Sequence, residues 1–178
     1  MLASDKWMGG LSELYRIVLI ILFLIVSCLL QHVSHELLHV FVAKKMGLTI
    51  NKIQWFTYHG GTKVFIDGEE QILESDRDIP KEWIYMNLAG IIGTTILAYM
   101  FCVLYFLLGV GYLKLFTWEL ATIFLLTDSS YALICSFGNC GDFYLVNKKF
   151  NRKNLLRCLS VFLFIFNCTM AFLIWKYQ

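Results

Sequence analysis

Residues 17–39 read IVLIILFLIVSCLLQHVSHELLH, and this stretch decides the fold. Its first part, residues 17–30, contains no charged side chain. A bilayer crossing takes about 20 predominantly apolar residues. As a helix, the run from Arg16 to His35 is about 29 Å long at 1.5 Å per residue. It ends on His35-Glu36-Leu37-Leu38-His39. Two histidines four apart on a helix project from one face, one turn above the other, and can grip a single metal ion. Glu36, between them, is placed to take a proton from a water at that metal. Polar side chains inside a membrane helix are costly and are usually there for function.

The rest of the 178-residue chain agrees with a membrane setting. It is 58% hydrophobic and only 16% charged, where a soluble domain carries about a quarter charged residues; its mean hydropathy is +0.65. The expected fold is an all-α membrane protein with four transmembrane helices, at about 16–45, 82–109, 115–138 and 154–176. They form a single membrane-embedded domain over residues 1–178. Residues 49–74 differ: Ile, Val, Thr and aromatics alternate with polar residues around His59-Gly60-Gly61 and Asp67-Gly68, which predicts a small β-hairpin region of two or three strands. Gly47, after Lys44 and Lys45, suits the stop of the first helix. Asp78 and Pro80 suit the start of the second.

The net charge of +2 matters less than its placement. Lys44, Lys45, Lys52, Lys63, Lys148, Lys149, Arg152, Lys153 and Arg157 fall on one side of a four-span chain. Lys6, Arg16, Lys114 and Lys176 fall on the other. The positive-inside rule puts the first group in the cytoplasm and both termini outside. Six cysteines lie mostly within the spans without paired spacing and read as small packing residues. Ile25-Val26-Ser27-Cys28 resembles a lipoprotein cleavage box, but the apolar helix runs on through it instead of opening into a polar tether.

A hydrolytic zinc needs a third ligand beside an open position. It should come from another helix at the depth of His35 and His39. Asp142 and Asp128 compete. On a straight third helix Asp128 lies roughly 20 Å further out, so depth selects Asp142, with Gly138 and Gly141 letting the backbone bend towards the metal. Asp128 reads as a structural polar contact to Ser129, Ser130 or a hydroxyl on another helix. His32 reads as a bystander on the His35 face, and His59 as a loop tip. Cys140 is set aside because a thiolate there tends to close the site.

His35-Glu36-Leu37-Leu38-His39, a strand region, an apolar helix with Ala89-Gly90, and then Gly141-Asp142-Phe143-Tyr144-Leu145-Val146 together resemble the site-2 protease group of intramembrane zinc metalloproteases. The glycine–aspartate order is that of small bacterial relatives, and the resemblance covers roughly residues 33–146. It implies a three-helix catalytic core, Zn2+ as cofactor held by His35, His39 and Asp142, and Glu36 as general base. It also implies a place in a bacterial cell membrane with the site near the cytoplasmic side. The family's glycine–proline–x–x–asparagine element is missing: the matching run is Ala89-Gly90-Ile91-Ile92-Gly93-Thr94. Asn87, three residues before Gly90, is the candidate to hydrogen-bond the reacting carbonyl. The expected partners are a membrane protein or peptide substrate and the lipid bilayer, not nucleic acid. Two other classes stand beside the protease: a metal-binding pseudoprotease or partner-binding regulator, and a metal transporter, for which no second ligand set is visible.

Overall fold

The computed structural model describes residues 13–55, 63–67, 79–138, 140–150 and 152–176. His59 and Asp78, together with most of the region between the two strands and beyond them, lie outside the described residues. The elements are α1 (Glu13–Lys45), β1 (Ile50–Gln54), β2 (Lys63–Ile66), α2 (Lys81–Leu107), α3 (Tyr112–Gly138), α4 (Phe143–Phe150) and α5 (Lys153–Lys176). Four of the helices, at Tyr15–Lys45, Lys81–Leu107, Tyr112–Gly138 and Lys153–Lys176, are long and apolar enough to cross a membrane, as in an integral membrane protein.

α1 is an inside-out amphipath. Ile17, Ile21 and Ile25 point outward, while Ser27, Gln31, His35 and His39 are buried in one row at four-residue spacing, followed by Ala43. Residues i and i+4 share a helix face, so the face turned to the neighbouring helices is the polar one. That inversion suits a helix whose solvent is lipid. The helix stops where Gly47 takes φ +77° and Leu48 N–H reaches back to Ala43 O at 2.9 Å, a left-handed glycine cap.

α2 runs antiparallel to α1. It begins directly after Pro80, which stands just before the first helical residue, with Trp83 N–H bonded to Pro80 O. α2 ends at Leu107 and α3 already starts at Tyr112, three residues ahead of the expected Leu115. Gly111, at φ +128°, makes the reversal, and Lys114 folds back over the Tyr105 ring at 4.7 Å, so its charge does not delay the helix. α5 reads as apolar all round, yet it is clasped to the bundle by polar contacts. Asn167 donates to Leu125 O at 3.1 Å and accepts from Tyr99 Oη at 2.7 Å, and the Ser136 and Ser160 hydroxyls lie 2.6 Å apart.

β1 and β2 pair antiparallel, with Ile50 opposite Ile66 and Ile53 opposite Val64, and an irregularity between Ile50 and Lys52. Ile66 is buried with Ala43, Ile79, Trp83, Leu145 and Val146. This hydrophobic cluster seats the hairpin at the end of the bundle where α1 stops and α2 begins. A second cluster, around Ala98, Tyr105, Phe124, Leu125 and Ile174, fills the opposite half. The polar row of α1 runs between α2 and α3 and carries the candidate site.

Candidate metal centre

Three spans bring their polar residues to one level. His35 is ten residues from the end of α1, Gly90 nine from the start of α2, and Asp128 ten from the end of α3, so each lies about 14–15 Å inside its helix. His35, His39 and Asp142 each offer one ligand atom there, and these atoms all lie within 4.8 Å of one another. His35 Nε2 and His39 Nε2 stand 3.2 Å and 3.4 Å from the same oxygen, Asp142 Oδ2. The edges of a tetrahedron with zinc bonds of about 2.05 Å are about 3.3 Å long. The two distances to Asp142 Oδ2 match that edge, and the group can hold a metal ion.

The outward-facing nitrogens strengthen the fit. His35 Nδ1 is 2.8 Å from Asp128 Oδ1, and His39 Nδ1 is 2.6 Å from the backbone oxygen of Met86. A carbonyl oxygen can only accept, so His39 Nδ1 carries the proton. In a neutral imidazole the other nitrogen is then a lone pair, and it faces a carboxylate oxygen. His35, donating to Asp128, is in the same position. With both rings neutral, a cation between these acceptors would satisfy all three, and a metal-ligating histidine commonly donates its second N–H in this way.

Gly90 supplies the space. A Cβ on Gly90 would stand 2.5 Å from both Nε2 atoms, in the cradle where a cation would sit. The sequence pattern suggests only close helix approach for Ala89-Gly90; that reading does apply three residues on, where a Cβ on Gly93 would meet Leu38 at 2.5 Å.

Asp142 reaches the site by a route that straight-helix arithmetic misses. α3 ends at Gly138, Cys140 N–H bonds Cys135 O, and Gly141 adopts φ +53°. The chain thus turns back, and Asp142 N–H donates to Tyr131 Oη at 3.4 Å. Tyr131 also sets its ring edge-on to His35, centroids 5.7 Å apart. Gly141 is doubly constrained, by its left-handed backbone and by the Tyr131 hydroxyl where its Cβ would go. Gly141→Ala is expected to lower metal affinity about tenfold, from the 1–2 kcal/mol that a left-handed alanine costs. Chelator competition on the purified chain measures it.

Asp128 corrects an expectation. It is not 20 Å away from the site, and its partner is neither a neighbouring serine nor a hydroxyl but His35 itself. Both aspartates touch the same imidazole because the chain reverses after Gly138. Glu36 is half-buried on the rim and lies within electrostatic range of His39, His35, Asp142 and His32. Asn87 is half-buried, and its amide donates to Trp83 O on its own helix at 2.7 Å. Cys140 lies 3.4 Å from Cys135, sulfur to sulfur, and stays outside the ligand group. Sequence reading singles out Asp128 but not its pairing with His35, and the Met86 carbonyl, Tyr131 and the role of Gly90 escape it. A lone acid in mid-span was the one available signal.

Comparison of the chain with protein-family models, with curated proteins and with solved structures returns no match. The geometry above is therefore what bears on function: a membrane protein with a buried His35/His39/Asp142 group that can hold a metal ion.

Proposed function

We propose that this chain is an intramembrane zinc metalloprotease that hydrolyses a peptide bond in a membrane-spanning or membrane-associated substrate. The observation that carries the reading is the set of three acceptors, His35 Nε2, His39 Nε2 and Asp142 Oδ2, facing one another inside a membrane-spanning bundle with the Glu36 carboxylate at their edge. The order of these residues, with His-Glu-x-x-His on one span and Gly-Asp after another, is that of the site-2 protease group.

His35, His39 and Asp142 would hold the metal, which when bound supplies a Lewis acid that acidifies water and polarises a carbonyl. Glu36 takes a proton from the attacking water and returns it to the departing amine. Neither metal retention nor helix packing requires that carboxylate, so its presence favours hydrolysis over a purely structural site. Asn87 keeps a second amide hydrogen beside the one given to Trp83 O, and it offers this to the reacting carbonyl. Gly90, with no side chain, leaves the ligands open towards α2. A substrate helix has its carbonyls engaged in its own hydrogen bonds, so a few residues must unwind before one is exposed. The β1–β2 hairpin is the element that would hold that segment, by pairing with extended chain. The basic residues at the hairpin end of the bundle orient it towards the cytoplasm.

Metal analysis of the purified chain tests the core of this reading. One zinc per chain is expected in the wild type and less than a tenth of that in Asp142→Ala. A zinc-free wild type, reconstituted with zinc and still not retaining it, would overturn the proposal. A chain that keeps its zinc but leaves single-span peptides uncut in liposomes would instead be a metal-binding regulator. Zinc passing across the vesicle wall would mark a transporter.

A further inference from the structure

We propose that Asp128 is a positioning residue of the metal centre: it fixes His35 with Nε2 free for a cation and supplies a buried charge that offsets the cation's. The inference rests on the metal-binding reading of His35, His39 and Asp142.

The two imidazoles are held differently. His39 Nδ1 faces a neutral acceptor, the Met86 carbonyl. His35 Nδ1 faces an acidic side chain that is 1% exposed in the body of α3. Oδ1 of Asp128 is committed to His35, while Oδ2 is buried with no hydrogen-bond partner among the described residues. A carboxylate kept in that condition in mid-span is costly. A structural polar contact alone would be served as well by serine or asparagine, which carry no charge. The cost has a return once a divalent cation is counted. Two neutral imidazoles, the Asp142 carboxylate and a doubly charged ion sum to +1, and the fully buried Asp128 carboxylate offsets that excess from behind His35, apart from the half-buried Glu36 on the rim. In a low-dielectric bundle charges that offset one another are far easier to bury than an excess of one sign. The carboxylate also increases the electron-donating power of His35 through its Nδ1–H, which tightens the metal bond.

Asp128 thus does two separable things: it accepts a hydrogen bond and it carries charge. Asp128→Asn keeps the size and an accepting oxygen but removes the charge. Asp128→Leu removes both. Both variants are prepared as full-length chain in detergent. Zinc affinity is read by competition with a chromogenic chelator, the visible spectrum is taken after cobalt loading, and thermal unfolding is followed without metal. Loss of such an outer partner weakens metal binding by about 10- to 100-fold. The expected result is a fall of about 100-fold in Asp128→Leu and about tenfold in Asp128→Asn, so that asparagine rescues part of the loss. The cobalt bands should shift in the leucine variant, where His35 can rotate. The metal-free asparagine variant should unfold no earlier than wild type, because the hydrogen bond to His35 Nδ1–H is kept and a buried charge has gone, whereas the leucine variant leaves that N–H unpaired and should unfold earlier. If the leucine variant does not fold, the asparagine variant still decides the charge contribution. Zinc affinities within twofold of wild type in the folded variants would overturn the role of Asp128 while leaving the metal centre intact. A wild type that binds no zinc would overturn both.

Discussion

Glu36→Gln is expected to abolish cleavage of a reconstituted single-span substrate, by about 10²- to 10⁴-fold in kcat, while the protein still carries one zinc per chain. Glutamine matches the glutamate in size and keeps a polar tip, so α1 has no reason to repack around it. It cannot accept and return a proton. Glu36 is not among the three converging ligand atoms, and His35 and His39 keep their contacts to Asp128 and Met86. The paired measurement is a cleavage rate beside a metal content on the same preparation. Full activity in Glu36→Gln would remove the assigned base, and loss of zinc with activity would show that the side chain serves the metal instead.

Gly90→Val should strip the metal from the site, and Gly90→Ala should weaken binding by at least 100-fold. An added Cβ stands 2.5 Å from both Nε2 atoms. Imidazole tips could swing aside, but each ring is anchored at its far nitrogen, one by Asp128 and one by the Met86 carbonyl. Moving either ring breaks a buried hydrogen bond. The helix itself has no objection: alanine is more favourable than glycine in a helix interior by about 1 kcal/mol. Zinc per chain should therefore fall much further than the unfolding temperature of the metal-free protein, where the helix gain offsets part of the cost of the displaced ring. A Gly90→Ala chain with wild-type zinc content would mean that the cation sits away from this cradle.

Hydropathy and helical spacing sufficed for the four spans, because they are local properties, but not for the short helix Phe143–Phe150. The four spans follow from apolar run length, and Gly47 ends α1 by the left-handed cap its position suggests. His35 and His39 are neighbours on one face whatever surrounds them. The remaining parts of the site depend on long-range returns of the chain. Rise per residue ranks Asp142 ahead of Asp128 only while α3 is imagined to continue straight, and the reversal through Gly141 puts both aspartates against His35. Nothing local to Met86 says that its carbonyl will meet an imidazole 47 residues away. Gly90 looks like any small residue at a helix crossing, and only the packed helices show which crossing it serves. Asn87 illustrates the converse: a residue chosen for its chemistry has an amide hydrogen committed to its own helix.

The turn that carries Asp142 has a mechanical consequence. His35 and Asp142 are 107 residues apart along the chain, so an ion shared between them would act as a cross-link closing a very long loop, as a disulfide does. Cross-links of that span remove much of the freedom of the open chain. The tether would be fastened not to a rigid helix but to a short reversal, and pulling out the ion would slacken the segment from Cys140 to Phe150 before the spans themselves loosened. Amide hydrogens there should exchange faster after chelation, while those in the middle of α2 and α3 hold their rates.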